Sequence, residues 1–372
     1  MIKQKNKVRL LELYGIPPLE TQLIYEAVAI AQLDEKIPDT IIICWPKEPL
    51  VCIGYHQITQ EEIDINYCKK HKIPIVRRIL GGGAVYLNKD QVFYQYIFRE
   101  NSPVLPKTFE KMFETFLEPV IKTYNNFGIP AIFRPVNDIE ANNKKISGTG
   151  AGTHENSRIL TGNFLLDFDF KTMIKVLKVP NEKFRDKVYK TLKDRLTTFK
   201  DELGSIPLVE EIIRKYKVNL EKILNITLES GKLSEKENII IQNLFTKYKS
   251  SSWNYLIGEN KKDLLKNRSV KIAKDSGIAQ AIYKGAGGLI KIILEIENMM
   301  IKDILISGDF FIYPENSLRK IENLLKGKAF NIDILQSSIE QFYKENNIES
   351  PRIKPIDFIN TFKNLQIEGV FN

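Results

Sequence analysis

The sequence predicts an α+β fold in two domains. Strand-like and helix-like stretches are partly segregated instead of strictly alternating, and 372 residues exceed a usual single core. A hydrophobic content of 43% supplies enough apolar material for real interiors. Residues 19–33 carry Leu23, Ala27 and Ile30 at the spacing of a helix that buries one stripe. Short β-branched or aromatic runs follow at 41–45, 50–54, 73–79, 84–87 and 92–98, punctuated by Pro and Gly, and read as strands. A helix is expected over 108–127, then strands at 131–134 and 158–168 around a hairpin at 137–148. Together they make a mostly antiparallel sheet with flanking helices. Residues 171–250 read as mainly helical, with a polar, lysine-bearing linker over 225–236 and an entry to the second domain at Ser250-Ser251-Ser252. Strands at 270–274, 289–296 and 301–307, with helices from Ser317 and Ile332, give a small α/β C-terminal domain. The expected division is residues 1–250 and 251–372.

Bulk properties narrow the function classes. A net charge of +9 invites a nucleic-acid reading, but the lysines over 107–122 and 236–249 are interleaved with Glu, as on solvated helix faces, and no nucleic-acid module is visible. Basic charge of this kind suits attraction of an acidic protein partner. No apolar run approaches the roughly twenty residues of a membrane span, and no signal-peptide core follows Met-Ile-Lys-Gln-Lys-Asn-Lys, so a cytoplasmic protein without membrane contact is expected. Cys44, Cys52 and Cys68 form no CxxC pair and lie in or beside apolar segments, which reads as buried free thiols.

Two segments carry chemistry. In Arg77-Arg78-Ile79-Leu80-Gly81-Gly82-Gly83-Ala84-Val85 two guanidinium groups lead into three glycines. Glycines let backbone N–H groups approach a ligand, and arginines offer forked donors to phosphate or carboxylate. A tight turn between strands is the alternative reading. The second segment, Asn137-Asp138-Ile139-Glu140-Ala141-Asn142-Asn143-Lys144-Lys145-Ile146-Ser147-Gly148-Thr149-Gly150, reads as a hairpin around an Asn-Asn turn whose outgoing strand carries lysine. Together the segments resemble the lipoate-protein ligase family, within the biotin/lipoate ligase-like fold, which pairs an Arg-Arg-x-x-Gly-Gly-Gly-x-Val loop with an Asn-Asp-Ile and Lys-Ile-Ser-Gly hairpin. Similar stretches are Pro49 to Gln57, Arg195-Leu196-Thr197-Thr198-Phe199, and Ser307-Gly308-Asp309-Phe310-Phe311 with Pro314 and Gly327. The resemblance spans roughly Gly15 to Glu340.

The resemblance implies an enzyme that activates lipoate or octanoate with ATP and Mg²⁺ to an acyl-adenylate, then acylates a lysine of a carrier. The carriers implied are lipoyl domains of 2-oxoacid dehydrogenase E2 subunits or glycine cleavage H-protein-like proteins. Lys145 is the implied catalytic residue, between the α-phosphate and the acyl carbonyl. Adjacent strand residues point to opposite faces, so only one of Lys144 and Lys145 enters the pocket. Gly81, Gly82 and Gly83 would approach acyl chain and nucleotide. Arg78 is assigned to the phosphate or carboxylate and Arg77 is a second candidate, with bonds that buttress the loop as the alternative for one of them. Val85 and Tyr86 would wall the pocket. Asn137, Ser147, Gly148, Thr149 and Gly162 complete the implied adenylate site, and Asp138 is the implied Mg²⁺ ligand. His56 and His154, in expected turns, read as exposed loop histidines.

Departures stand beside the matches. The family reads Val-Tyr-His-Asp-x-Gly-Asn where this chain has Val85-Tyr86-Leu87-Asn88-Lys89-Asp90-Gln91, and His-Gly-Thr or His-Gly-Ser where it has Thr161-Gly162-Asn163. An octanoyl transferase of the same fold, using a cysteine thioester instead of ATP, and a non-catalytic lipoyl-binding protein are the alternatives. A biotin ligase would need a Gly-Arg-Gly-Arg-x-Gly-Arg loop, which is missing from the sequence.

Overall fold

A computed structural model describes residues 5–135, 137–179, 182–257, 264–265, 270–273 and 276–365. The chain separates into two compact units, Met1–Cys52 with Ile63–Val76 and Val85–Ser250, and Ile53–Glu62 with Arg77–Ala84 and Ser251–Asn372.

In the first unit a six-stranded sheet among the described residues runs in the order Thr149–His154, Ser157–Leu165, Gln91–Arg99, Thr40–Pro46, Asn6–Ile16, Ile226–Ser230. The first three junctions are antiparallel and the last two parallel. Continuous burial of Ile41, Ile42, Ile43 and Cys44 is what a strand covered on both faces requires. Helix Glu20–Ala31 buries most of its surface, and helix Phe109–Asn125 buries Met112, Phe113, Phe116, Leu117 and Val120 at 3–4 residue spacing.

The expected linker over 225–236 is instead structural. Ile226–Ser230 pairs in parallel with Asn6 to Leu10, and Ser234 caps helix Glu235–Lys249 through a capping box with Glu237. Glu237 is fully buried, and the Arg9 guanidinium donates to both of its oxygens. The stretch that resembled a linker is therefore a sheet strand followed by a helix cap, with one half of a buried ion pair just beyond it.

A three-stranded antiparallel sheet of Ala131–Arg134, Asp138–Ala141 and Lys144–Ser147 forms the hairpin. Asn142 and Asn143 turn it with φ of 50° and 63°. Asn tolerates this left-handed region better than other side chains, and two such residues in a row are what a tight hairpin turn needs.

In the second unit Val270–Ala273, Ser276–Gly285, Gly288–Glu297 and Met300–Gly308 make an antiparallel meander. Ile292, Leu294, Ile304 and Ile306 share one core with Leu318, Ile321 and Leu325, with Leu335 and Ile339, and with Phe358, Ile359 and Phe362 from the helices Ser317–Leu325, Ile332–Glu345 and Pro355–Lys363. No helix among the described residues is long and apolar enough to cross a membrane.

All three cysteines are buried free thiols. Burial pushes the Cys68 thiol up to about 11, helped by Asp64, and raises Cys44 further, so both stay protonated and unreactive near neutral pH.

Candidate active site

Within the first unit the hairpin gathers most of the expected site. Lys145 lies opposite Glu140 on the neighbouring strand, and its Nζ stands 2.5 Å from Asp138 Oδ1, with about a third of each side chain exposed. Thr197 N–H donates to the Lys145 carbonyl at 2.9 Å, so the segment after Arg195 backs the lysine strand. Asn137 Nδ2 donates to the Thr149 carbonyl at 2.7 Å, and Thr149 Oγ1 donates back to the Asn137 carbonyl, which pins the two ends of the hairpin together. Ser147 is fully buried and its Oγ lies 2.9 Å from Tyr94 Oη. A side chain at Gly148 would start 3.6 Å from Lys145 Cε and 3.9 Å from its Nζ, ordinary contact distances, so this glycine lies directly beside the ammonium. Gly162 has a packing role: a Cβ there would run into the Tyr94 ring and hydroxyl. Strand alternation separates the two expected wall residues, Val85 being exposed and Tyr86 buried. Burial, with Asp169, pushes the Tyr86 hydroxyl up to about 12, leaving it a neutral donor.

The arginine and glycine loop belongs to the second unit, where its own arginines help to hold it. Arg77 is completely buried. Its guanidinium donates to the carbonyls of Gly54, Tyr55, Gln57, Trp253 and Asn254 and to Thr59 Oγ1, at 2.7 to 3.1 Å. Of the two readings for Arg77, the structure realises the buttress. Arg78 bonds the Gly81 carbonyl at 2.6 Å and the Gly83 carbonyl at 2.9 Å, so it too shapes the loop. Gly82 has φ of 90°, and a Cβ there would press on the Arg78 guanidinium at 3.0 Å and the Phe311 ring at 3.1 Å. Gly81 faces the Phe310 carbonyl, where a Cβ would sit 2.6 Å away, while Gly83 has ordinary room. Gly54 sits where any side chain would collide with the Gly82 carbonyl.

His56 is not the exposed loop histidine expected from sequence. It is 4% exposed, stacks on Phe310 at 5.6 Å and meets the Tyr55 ring edge-on at 5.0 Å. Burial, with Arg77 and Arg319 nearby, pushes its pKa down to about 3. Between pH 6.5 and 3 the unfolded chain takes up a proton that folded His56 refuses. Stability from this group is therefore complete above about pH 6.5 and is lost as the pH falls below it, by about 2 kcal/mol at pH 5. His56→Phe is expected to shrink the drop in urea midpoint between pH 7 and pH 5. An undiminished drop in that variant would assign the acid sensitivity to other groups. His154 is partly covered as well, with Nε2 3.7 Å from the buried Glu26 carboxylate, which also holds Lys247 at 2.7 Å and the Tyr248 hydroxyl.

Comparison with known proteins gives these residues their context. The family model "Lipoyl protein ligase A/B catalytic domain" matches residues 18–221. The chain belongs to the lipoyl protein ligase A/B family. A second model, "Bacterial lipoate protein ligase C-terminus", matches residues 282–362. Lipoate-protein ligase LplJ of Bacillus subtilis is 27% identical over 86% of this chain and 89% of its own length. Octanoyltransferase LipM of Geobacillus kaustophilus is 26% identical over 64% of this chain and 94% of its own. Among solved structures, the bipartite lipoate protein ligase of Thermoplasma acidophilum, described with its E2 lipoyl domain, aligns with a TM-score of 0.59 at 27% identity, covering 68% of this chain and 96% of that one. A lipoate-protein ligase A bound with ATP aligns with a TM-score of 0.55 at 25% identity, covering 68% and 99%. LipL1 of P. falciparum matches the fold over 95% of this chain and 97% of that one, with a TM-score of 0.66 at 16% identity.

As a lipoyl protein ligase A/B family member, the chain departs from the family pattern at places the structure connects. Leu87 is buried and Thr161 partly so, in positions where the motif has histidine. Gln91 and Asn163, two further departures, are hydrogen-bonded to each other at 2.9 Å. Their pairing gave no signal in sequence, because each residue reads alone as an ordinary polar strand position.

Proposed function

We propose that this lipoyl protein ligase family member is an ATP-dependent lipoate-protein ligase that activates lipoate or octanoate to an acyl-adenylate and transfers the acyl group to a carrier lysine. The observation that carries the reading is Lys145 on the hairpin, with Asp138 as its ion-pair partner and Gly148 beside its ammonium. A free carboxylate has no usable leaving group, so the acid must first attack the α-phosphate of ATP and release pyrophosphate. A carrier amine then displaces AMP. Both steps gather negative charge beside the acyl carbonyl, where a positioned ammonium is effective. Likeness to LplJ and to an ATP-bound ligase supports this choice. The Thermoplasma protein described with its E2 lipoyl domain supports lipoyl-domain carriers, to which we add H-protein-like carriers.

Among the described residues no cluster of three or more His, Cys, Asp or Glu is arranged to hold a metal by protein ligands alone. Asp138 as a single carboxylate fits Mg²⁺, which commonly takes one or two carboxylates plus phosphate oxygens and water. Bound there, the ion would neutralise phosphate charge. We further assign Arg78 and the loop glycines Gly81, Gly82 and Gly83 to the nucleotide or acyl side, with Tyr86, Asn137, Ser147, Gly148 and Thr149 lining or supporting it. Catalysis is assigned to residues 1–250, an accessory role to 251–372, and the cytoplasm as the compartment.

Octanoyl transfer without ATP is the second reading, favoured by the LipM relatives. That chemistry needs a reactive thiolate, and the three cysteines here are buried. Incubation of the purified protein with ATP, Mg²⁺ and lipoate, followed by mass spectrometry, is expected to yield lipoyl-AMP. Acyl exchange between carriers with no ATP requirement and no lipoyl-AMP would establish the transferase instead.

A further inference from the structure

Two buried primary amides stand in series between the lysine hairpin and the strand Val85–Leu87. Gly148 N–H donates to Asn163 Oδ1 at 3.0 Å, Asn163 Nδ2 donates to Gln91 Oε1 at 2.9 Å, and Gln91 Nε2 donates to the Tyr86 carbonyl at 3.0 Å. The sheet register brings them together: Leu165 lies opposite Gln91, so Asn163, two residues earlier on the same face, is its diagonal neighbour. Gln91 is 1% exposed and Asn163 9%, and each amide has its oxygen and nitrogen ends fixed by what it meets. The bond between the two amides could be exchanged for matched apolar side chains at little cost, but the backbone groups at its ends, Gly148 N–H and the Tyr86 carbonyl, would then lose their partners. What an apolar pair lacks is an acceptor for Gly148 N–H. With that N–H turned toward the sheet, Gly148 is flanked by Lys145 Nζ and Asn163 Oδ1, each 3.9 Å from where a side chain would begin.

We propose that Asn163 and Gln91 are positioning residues for acyl transfer: they hold the Ser147–Gly148 peptide fixed beside Lys145. The inference rests on the reading of Lys145 as the cation at the acyl carbonyl. It names as functional two residues at which the chain leaves the family motif.

The test uses Asn163→Leu, Gln91→Leu and the double variant in the full-length protein, with kcat, KM for the acyl substrate, urea midpoint and hydrogen exchange at the Gly148 amide. Asn163→Leu strands both Gly148 N–H and Gln91 Oε1, and is expected to lower kcat by about ten- to a hundredfold, as for other losses of a group that orients a reacting side chain. KM should stay within about threefold, because an orienting role acts on turnover more than on uniform binding. The double variant removes the stranded Gln91 Oε1 but leaves Gly148 N–H unpaired and frees the Tyr86 carbonyl, so its urea midpoint should recover only in part while kcat remains low and Gly148 exchange remains fast. If turnover recovers together with stability, or if the loss falls on KM, the residues serve only the fold and the proposal is overturned. Should Asn163→Leu fail to fold, the double variant carries the comparison. Should the wild-type protein neither form an acyl-adenylate nor transfer an acyl group, the ligase reading fails and the positioning claim falls with it. Unchanged Gly148 exchange in the Asn163 variants of an active protein overturns the positioning claim alone.

Discussion

Lys145→Ala is expected to slow acyl-adenylate formation and acyl transfer by about a hundred- to a thousandfold, the loss seen when one positioned electrostatic group is removed from a reacting centre. Folding should be unaffected. The ion pair with Asp138 has about a third of each side chain in solvent, and exposed pairs of this kind contribute less than about 1 kcal/mol. Lys144→Ala should retain most activity, because its neighbour on the strand occupies the side facing Asp138 and Gly148. Pyrophosphate exchange and carrier acylation measured on both variants decide the matter. An inactive Lys144→Ala beside an active Lys145→Ala would shift the working lysine by one residue.

Arg77→Met is expected to have the largest effect on stability. The side chain is fully buried, and its loss takes away the donor to the Tyr55 and Gln57 carbonyls and one of two partners from the Gly54, Trp253 and Asn254 carbonyls and the Thr59 hydroxyl. Each buried polar group left without a partner costs about 1–3 kcal/mol, so the two stranded carbonyls, with the weakened bonds at the other four groups, take up much of a modest protein's margin. The urea midpoint of the second unit should fall steeply, with soluble yield. Arg78→Ala, which releases the Gly81 and Gly83 carbonyls in a partly exposed setting, should be milder. A stable Arg77→Met that has merely lost affinity for nucleotide would mean that the guanidinium meets substrate after all.

Features with a local cause are legible in the residues alone. Alternating and β-branched runs placed most strands of the first unit within a few residues, and the Asn-Asn pair announced the hairpin turn because few other residues accept two left-handed φ values in succession. Lysine on the outgoing strand and the Arg-Arg-Gly-Gly-Gly run were legible for the same reason, as chemistry written in consecutive residues. Tertiary structure alone decided what each group touches. The stretch 225–236 reads as a linker until Ile226–Ser230 finds Asn6 to Leu10 and Glu237 finds Arg9, partners from the opposite end of the first unit's sequence. Arg77 reads as an anion ligand until its guanidinium is seen surrounded by backbone carbonyls, His56 as exposed until Phe310 covers it, and Gln91 and Asn163 as unrelated polar residues until the strand register sets them side by side. The physical reason is common to all of these cases. Backbone conformation answers to near neighbours in the chain, whereas the fate of a buried charge or amide depends on which donors and acceptors distant segments bring to it.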